Sequence, residues 1–167
     1  MTPSPHIRIA IPSDAEAACV VVRKSITESC TDDHRGNDAV LAAWLANKTP
    51  ERMAGWIALP DAFAVVAESA GTVVGFALMN LRGDIRLCYV LPEAQRRGLG
   101  RAMMTALEEE ATRLNLTEIT LESTTTAHDF YRALGFVDSG LPRTSLSVTA
   151  QPMRKLLATG DSFALSR

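Results

Sequence analysis

The sequence predicts an α/β (α+β) fold built on a mixed, mostly antiparallel central sheet. Residues 63–90 contain three apolar stretches separated by two tight turns, which is the pattern of an antiparallel meander. Residues 99–114 return to helical spacing, with leucines and a methionine on one face. A strand at 118–123 makes residues 85–123 a strand–helix–strand unit, whose two strands are expected to be parallel with a right-handed crossover. The sheet is therefore expected to be mixed.

The N-terminal third is expected to hold one strand followed by helices. Isoleucines alternate with other residues over 7–11, as in a short strand, and Pro12 ends it. Ser13 and Glu16 have the spacing of a capping box for a helix that runs to about Ile26. Residues 27–37 are polar and expected to be irregular, Asp38 is expected to cap a second helix, and Thr49–Pro50 are expected to open a third.

The rest of the chain is expected to alternate strands and helices. Thr126 and Asp129 have capping-box spacing for the last helix, which Gly135 ends. No repeat, linker or change of composition divides the chain, so one domain over residues 1–167 is expected. The expected strands are 63–67, 72–79, 85–90 and 118–123, the expected helices are 99–114 and 127–134, and 144–148 with 152–156 form a closing hairpin.

Composition and charge argue against several classes of function. The 167-residue chain has a net charge of -2 and a pI of about 5.9, which argues against a nucleic-acid binder that depends on phosphate contacts. No apolar run approaches the roughly 20 residues that span a bilayer, and no signal-peptide pattern is present, so no membrane partner is expected. The three cysteines match no zinc spacing, so no metal is expected, and reduced thiols fit a soluble, cytoplasmic protein.

A segment rich in glycine and arginine, placed after a predicted strand, has the features of an anion site. It reads Gln95-Arg96-Arg97-Gly98-Leu99-Gly100-Arg101 and leads into an amphipathic helix. The first N–H groups of a helix lack internal partners, and the helix dipole adds about half a positive charge there. Glycines let phosphates approach the backbone, and arginines bind phosphate oxygens. The segment matches neither the P-loop nor the dinucleotide fingerprint, so taken alone it fits a solvated arginine-rich loop equally well.

Three ordered motifs resemble those of the GNAT superfamily of N-acetyltransferases. The string V-L-P-x-x-Q-R-R-G-L-G, beginning at Val90, resembles the acetyl-CoA signature of the family, and A-x-x-F-Y-x-x-x-G-F, beginning at Ala127, resembles a later helix. Met153-Arg154-Lys155 resembles the last strand, so the resemblance spans roughly residues 60–156. It implies a GNAT-like sheet flanked by helices in three αβα layers, with acetyl-CoA as co-substrate and no metal.

The resemblance also implies roles for individual residues toward coenzyme A. The backbone of Cys88, Tyr89 and Val90 would pair with the pantetheine arm, and an N–H there would hold the thioester carbonyl. Thr124 stands where many members have an asparagine, so its contact with the cofactor is left open. The residues expected to wrap the pyrophosphate, mostly through main-chain N–H groups, are Gln95, Arg96, Arg97, Gly98, Leu99, Gly100 and Arg101.

Tyr131 matches the tyrosine that protonates the departing thiolate in this family. The chemistry suits a phenol, because its ordinary pKa of about 10 lies above the value of about 8.5 for a thiol and keeps the phenol protonated at neutral pH. The alternative for Tyr131 is a core aromatic residue beside Phe130 with its hydroxyl satisfied.

The acceptor side depends on weaker signals. An alkylammonium must lose a proton before it attacks, so a general base is expected. Glu28 and His34, at the end of the first helix and in the polar loop after it, are the candidate bases, with Asp32 and Asp33 beside them. If this acidic loop walls the acceptor site, its charges favour a cationic amine. The alternative is a solvated loop with no role in the chemistry.

Other positions near the chemistry are also open. Some relatives use a glutamate on the strand before the A-x-x-F-Y helix, but the equivalent residue here is Ile119. Glu118 and Glu122 are expected to face the other side of that strand by alternation. Trp44 and Trp56 are expected in the core, with an apolar acceptor pocket as the alternative.

The resemblance and the residues together predict an N-acetyltransferase. The expected reaction moves an acetyl group from acetyl-CoA to a primary amine of a small molecule or peptide by direct attack. A non-catalytic acyl-CoA-binding module is the alternative, because such a module would keep the anion site and lack a working acid. Dimers are common in the family, so a homodimer is left open, and no nucleic-acid partner is expected.

Overall fold

The computed structural model of the protein describes residues 4–158. No helix among these residues is long and apolar enough to cross a membrane. Two short 3-10 turns lie at Pro12–Asp14 and Pro92–Ala94. The helices are α1 (Ala15–Ser29), α2 (Thr31–His34), α3 (Asp38–Leu45), α4 (Pro50–Ala58), α5 (Leu99–Arg113) and α6 (His128–Ala133). The strands are β1 (His6–Ile9), β2 (Ala62–Ser69), β3 (Thr72–Asn80), β4 (Asp84–Val90), β5 (Glu118–Ser123), β6 (Val137–Asp138), β7 (Arg143–Ser145) and β8 (Val148–Leu156).

The strands build one central sheet in the order β1-β2-β3-β4-β5-β8-β6, and β7 pairs with the start of β8. All these pairings are antiparallel except that of β4 with β5. Helices α5 and α6 cover one face over their own apolar core, and α1, α3 and α4 cover the other face over a second core. The predicted mixed, mostly antiparallel sheet between two helical layers is therefore confirmed.

The two parallel strands separate soon after they meet. Only two residue pairs join β4 to β5, and the second of them is Ile85 with Leu121. Beyond this point β4 remains paired with β3, while β5 remains paired with β8. The carbonyl of Val90, at the end of β4, accepts a hydrogen bond of 2.8 Å from the Ser25 hydroxyl on α1. Because each strand is held by its outer neighbours, an opening remains between β4 and β5.

The first helix begins differently from the prediction. Residues Pro12–Asp14 form a 3-10 turn, and α1 follows without a side-chain cap, so the predicted capping box of Ser13 and Glu16 is wrong. The carboxylate of Asp14 instead accepts a hydrogen bond of 2.9 Å from the Ile11 N–H. The Asp14 side chain thus caps the 3-10 turn, in place of the Ser13–Glu16 cap that the motif predicted, because Pro12 already imposes a tight turn.

The segment after α1 also differs from the prediction. Residues 27–37, expected to be irregular, complete α1 as far as Ser29 and then form α2. The side chain of Asn37, rather than that of Asp38, caps α3. Thr49 caps α4 as predicted. The prediction for residues 27–37 was wrong because their polar composition hid the helical pattern. The apolar face of this segment is too short to show helical spacing.

Near the C-terminus the predicted hairpin is present, but its turn lies elsewhere. β7 and β8 are joined by Leu146 and Ser147, both with positive φ, and the predicted turn residues 149–151 lie inside β8. Helix α6 has no side-chain cap, so the predicted capping box of Thr126 and Asp129 is wrong. The Thr126 hydroxyl is used instead in a contact with α2.

Asp14 makes the stability of the fold depend on pH. Its buried carboxylate accepts hydrogen bonds of 2.8 and 2.9 Å from the Arg8 guanidinium, which holds the pKa of Asp14 below its usual 3.8. A depressed folded-state pKa gives stability above the unfolded-state pKa, and this stability is lost as the pH falls through the folded-state value. We expect Asp14→Asn to lower the free energy of unfolding by about 1–2 kcal/mol at neutral pH.

The difference between wild type and Asp14→Asn should begin to shrink as the pH falls below the unfolded-state pKa of about 4, and it should vanish only below the lower folded-state pKa of Asp14. Urea unfolding at neutral and acidic pH measures both values. Asp38→Asn is the matched control, because Asp38 is exposed and its side chain makes no hydrogen bond or ion pair within residues 4–158. A cost that is equal at both pH values would contradict the assigned role of the Arg8–Asp14 pair.

Candidate active site

The opening between β4 and β5 forms a slot that passes through the sheet. It encloses about 50 Å³. Cys88 and Leu121 belong to the core beneath α5, whereas Leu87 and Tyr89 pack with the core beneath α1. Groups held on opposite faces of the sheet can therefore meet in this slot. Its lining consists of Ile85, Arg86, Leu87, Cys88, Tyr89, Leu121, Glu122, Thr124, Ala127 and Tyr131.

Tyr131 brings a buried phenol to the slot from α6. Its side chain is 7% exposed, and its ring makes edge-on contacts with Phe130 and Phe136 at centroid distances of 5.1 and 5.7 Å. Burial raises the pKa of Tyr131 well above its usual 10.0, and the neighbouring Cys88 and Tyr89 raise it further. The hydroxyl therefore keeps its proton at neutral pH and is available as a hydrogen-bond and proton donor to a group in the slot.

Cys88 lies beside Tyr131, but its thiol is a poor nucleophile. Burial raises the pKa of Cys88 to about 12, and the Tyr131 hydroxyl lowers it only in part. A cysteine attacks as the thiolate, which is scarce at neutral pH when the pKa is this high. Burial likewise raises the pKa of Cys30 to about 12. The site therefore gives no support to a covalent cysteine intermediate.

Residues 95–101, called the clamp below, present a row of backbone donors. The six N–H groups from Arg96 to Arg101 find no hydrogen-bond acceptor within residues 4–158. Arg96 and Gly98 have left-handed φ values of 62° and 78°, so the chain curls before α5 begins. Leu99 is buried and fixes this curl to the core. Successive free N–H groups at a helix N-terminus attract anions, and a diphosphate fits this arrangement.

The two glycines of the clamp have different roles. A Cβ at Gly98 would meet nothing within 4 Å, so the space in front of its N–H is open to a ligand. A Cβ at Gly100 would come within 3.1 Å of the Phe130 ring, so Gly100 lets α6 pack closely against α5. The motif had predicted ligand contacts for both glycines. Close packing against Phe130 also explains why this position is a glycine. The same packing connects the clamp to α6, the helix that contains Tyr131.

The side chains of the clamp also divide into two groups. Gln95 donates a hydrogen bond of 3.3 Å to the Val90 carbonyl, and Arg97 donates one of 3.2 Å to a carbonyl within the preceding turn. Arg96 and Arg101 make no side-chain hydrogen bond or ion pair to any other described residue. Gln95 and Arg97 therefore shape the loop, whereas Arg96 and Arg101 are free to contact an anion.

The loop after β5 is tied to α2 by one carboxylate. Asp33 accepts hydrogen bonds from the N–H groups of Thr125 at 2.7 Å and Thr126 at 3.3 Å, and also from the Thr126 hydroxyl. The hydroxyl oxygen of Thr124 accepts a hydrogen bond of 3.2 Å from the Ala127 N–H. Thr124, which lines the slot, is thus already engaged in the turn that starts α6.

Asp33 is expected to be a structural residue rather than a base. Asp33→Ala leaves two backbone N–H groups and a hydroxyl without their acceptor, so we expect the free energy of unfolding to fall by about 1–2 kcal/mol. Urea denaturation measures this change. Asp32→Ala is the matched control, since Asp32 is exposed on the same turn and its side chain has no hydrogen bond or ion pair in the described chain. Equal stabilities of the two variants would contradict the role of Asp33.

The two predicted bases, Glu28 and His34, do not line the slot. His34 is buried, its Nε2 donates to the Thr27 carbonyl at 3.0 Å, and its Nδ1 accepts from the Gly36 N–H at 3.1 Å. Since a backbone N–H can only donate, these partners fix the tautomer and leave no free lone pair. Glu28 is exposed on α1 near Lys24. Neither position supports the base role that the sequence suggested.

A groove of about 670 Å³ adjoins the slot on the face covered by α1. Trp44 and Tyr89 line it from α3 and β4, and both also pack on the core beneath α1. Glu122 lines both the groove and the slot, and its carboxylate lies 3.3 Å from the Arg143 guanidinium. Trp56 lines a neighbouring cavity. Within residues 4–158 no group of three or more histidine, cysteine or acidic side chains could hold a metal ion.

Glu122 lines both the slot and the groove, although sequence reasoning had not named it as a candidate. Ile119 and Leu121 face the core beneath α5, so Glu122 faces the opposite side of β5, as alternation predicted. That side was taken to be remote from the chemistry, whereas the groove opens there. The available signal was the polar row of Glu118, Thr120 and Glu122 on a strand whose other face begins with the apolar Ile119 and Leu121.

Residues 29–157 match the family model of the acetyltransferase (GNAT) domain. The chain belongs to the GNAT acetyltransferase family. The match includes the clamp, both strands that form the slot, and Tyr131. The resemblance predicted from three short motifs is therefore confirmed.

Individual proteins are similar to this chain in sequence or in fold. Over 92 residues the chain is 32% identical to an IAA acetyltransferase of Azospirillum brasilense, a match that covers 50% of this chain and 60% of the relative. An N-acetyltransferase structure from Rhodopseudomonas palustris superposes with a TM-score of 0.82 at 23% identity, covering 94% of this chain and 98% of that one. The PaiA N-acetyltransferase of Thermoplasma acidophilum, solved with coenzyme A, superposes with a TM-score of 0.78 at 18% identity, covering 92% of this chain and 99% of that one. These structural likenesses show the shared fold.

Proposed function

We propose that the chain is an acetyl-CoA-dependent N-acetyltransferase that acts on a primary amine by direct attack. The observation that carries this proposal is the slot, which has the buried phenol of Tyr131 on one face of the sheet and an open groove on the other. Family membership supports acetyl transfer from an acyl-CoA. The clamp and the groove give the donor and the acceptor separate approaches to one point.

Coenzyme A fits the groups that the chain offers on the α5 face. The free N–H groups of the clamp, with Arg96 and Arg101, would hold the pyrophosphate. Beyond Ile85 the edge of β4 that faces β5 has no ladder partner, so its amides would hold the pantetheine arm. The Val90 carbonyl is already occupied by Ser25 and Gln95, and the Tyr89 backbone faces β3, which leaves the Val90 N–H and the backbone of Cys88 for that contact. When bound, acetyl-CoA supplies an activated thioester at the slot.

The residues of the slot suit direct transfer. The deprotonated amine attacks the thioester carbon, a C–N bond forms, and the C–S bond breaks. Tyr131 gives its proton to the departing sulfur and regains one from solvent. A backbone N–H of β4 stabilises the negative charge that develops on the carbonyl oxygen. Glu122, the carboxylate that lines the slot on the groove side, accepts the proton that the ammonium gives up.

An acceptor screen tests this proposal. The protein is incubated with acetyl-CoA and a panel of amines, and mass spectrometry follows the product while a thiol reagent follows released coenzyme A. We expect an N-acetylated amine in an amount equal to the coenzyme A released. Binding of acetyl-CoA without transfer to any amine would instead support the non-catalytic acyl-CoA-binding module. Hydrolysis without amine dependence would contradict the assigned acceptor.

A further inference from the structure

The groove beside the slot contains two adjacent ion pairs. The Asp84 carboxylate lies 2.8 Å from the Arg86 guanidinium, and the Glu122 carboxylate lies 3.3 Å from the Arg143 guanidinium. These side chains are between 38 and 74% exposed, so both pairs face the open groove. Glu122 also lines the slot, whereas Arg143 lines only the groove. The negative member of this pair therefore lies closer to the reacting position than the positive member.

This pattern of charge disfavours a polycationic acceptor. The acidic loop that suggested a cationic amine does not line the groove, and Asp33 and His34 in that loop are engaged within the fold. A polyamine would therefore meet at least as many like charges as opposite ones. The charged side chains that do line the groove are Lys48, Arg86 and Arg143 against Asp84 and Glu122.

We propose that the acceptor is a zwitterion of the α-amino-acid type with an apolar side chain. Its ammonium binds at Glu122, and its carboxylate binds at Arg143. This inference rests on the proposed N-acetyltransferase function and specifies its substrate class. The two charges of an α-amino acid are one carbon atom apart, which matches a glutamate and an arginine that are already in contact.

Three physical features support this occupant. An exposed ion pair contributes little stability, so the charges of a ligand can replace either partner without a large loss. The planar guanidinium of Arg143 can bind a carboxylate through two parallel hydrogen bonds. Trp44, Tyr89 and Leu146 line the same groove and offer apolar surface to a side chain such as phenylalanine.

The orientation also agrees with the reaction. With the ammonium at Glu122, the nitrogen lies at the slot, and its carboxylate remains outside in the groove. Loss of the ammonium proton to Glu122 leaves the nitrogen lone pair free to attack the thioester carbon. The C–N bond then forms as the C–S bond breaks, and Tyr131 protonates the sulfur, as for any primary amine.

Matched acceptors test the proposal. Acetyl transfer is measured for phenylalanine, phenylalaninamide and spermidine, and we expect kcat/KM for phenylalanine to exceed that for the amide by about tenfold or more. The amide loses its ammonium proton more readily than the acid, so amine protonation cannot produce this preference. Arg143→Met should remove the preference by raising KM for phenylalanine. Equal or better use of the amide or of spermidine by the wild type would overturn the proposal.

A control variant and a binding measurement make the result specific. Arg113→Met removes an arginine of similar exposure that pairs with Glu110 on α5, away from the groove, and it should keep the wild-type preference. Binding of phenylalanine in the presence of coenzyme A is followed through tryptophan fluorescence. Binding that Arg143→Met abolishes, without any transfer by the wild type, would support the substrate class while the proposed function fails. Absence of phenylalanine binding, together with transfer to another amine of the acceptor panel, would overturn the substrate class and leave the proposed function standing.

Discussion

Replacing Tyr131 with phenylalanine is expected to slow acetyl transfer by about 100-fold or more, which is the usual contribution of a general acid. The physical reason is that burial holds the pKa of Tyr131 well above 10.0, so the phenol is the proton donor at the slot when the C–S bond breaks. The ring contacts with Phe130 and Phe136 remain in the variant, so the fold and acetyl-CoA affinity should be preserved. Single-turnover transfer and calorimetry measure the two quantities.

Tyr89→Phe is the natural comparison, because Tyr89 and Tyr131 are the only two tyrosines of the chain and both line the slot. Burial also raises the pKa of Tyr89, but its ring packs with the core beneath α1, on the acceptor face. We expect this variant to retain most of the transfer rate. A large loss in Tyr89→Phe with little change in Tyr131→Phe would contradict the role of Tyr131 and would place the general acid on the face beneath α1.

Replacing Gly98 with leucine is expected to raise the dissociation constant of acetyl-CoA at least tenfold, which corresponds to about 1.4 kcal/mol. Gly98 has a φ of 78° and open space in front of it, so a leucine side chain would occupy the approach to the N–H groups of the clamp. The left-handed backbone also disfavours a side chain, at a cost of about 1–2 kcal/mol in stability. Calorimetry measures the binding and urea unfolding measures the stability.

Gly71→Leu separates these two effects. Gly71 has a φ of 77°, a Cβ there would also meet nothing within 4 Å, and it lies in the turn between β2 and β3. Both variants should lose similar stability, whereas only Gly98→Leu should lose affinity for acetyl-CoA. Equal affinity in the two variants would show that the clamp does not bind the pyrophosphate.

The clamp and Tyr131 could be predicted from the sequence because their signals are local. A strand, two glycines and an amphipathic helix follow one another within residues 84–113, and the A-x-x-F-Y motif is a single helical segment. The sheet could be predicted for the same reason, since period-two alternation and tight turns are short-range properties. The family match over residues 29–157 confirms the predicted family, and the strand order confirms the predicted sheet, whereas the roles of the clamp and Tyr131 stay predictions.

The acceptor side could not be predicted because its contacts join distant parts of the chain. Asp33 binds Thr125 and Thr126, which are more than 90 residues away, and Glu122 meets Arg143 from a different hairpin. The Thr126 hydroxyl was expected to cap α6 locally, but the tertiary contact with Asp33 replaced that cap. Local capping patterns have no information about such competing partners.

The most direct test of the slot as the meeting point of donor and acceptor is a crystal structure with coenzyme A bound. We expect the pyrophosphate on the N–H groups from Arg96 to Arg101, the pantetheine arm along β4, and the sulfur within hydrogen-bond reach of the Tyr131 hydroxyl. A coenzyme A molecule whose sulfur lies outside the slot, away from Tyr131, would contradict the proposed mechanism.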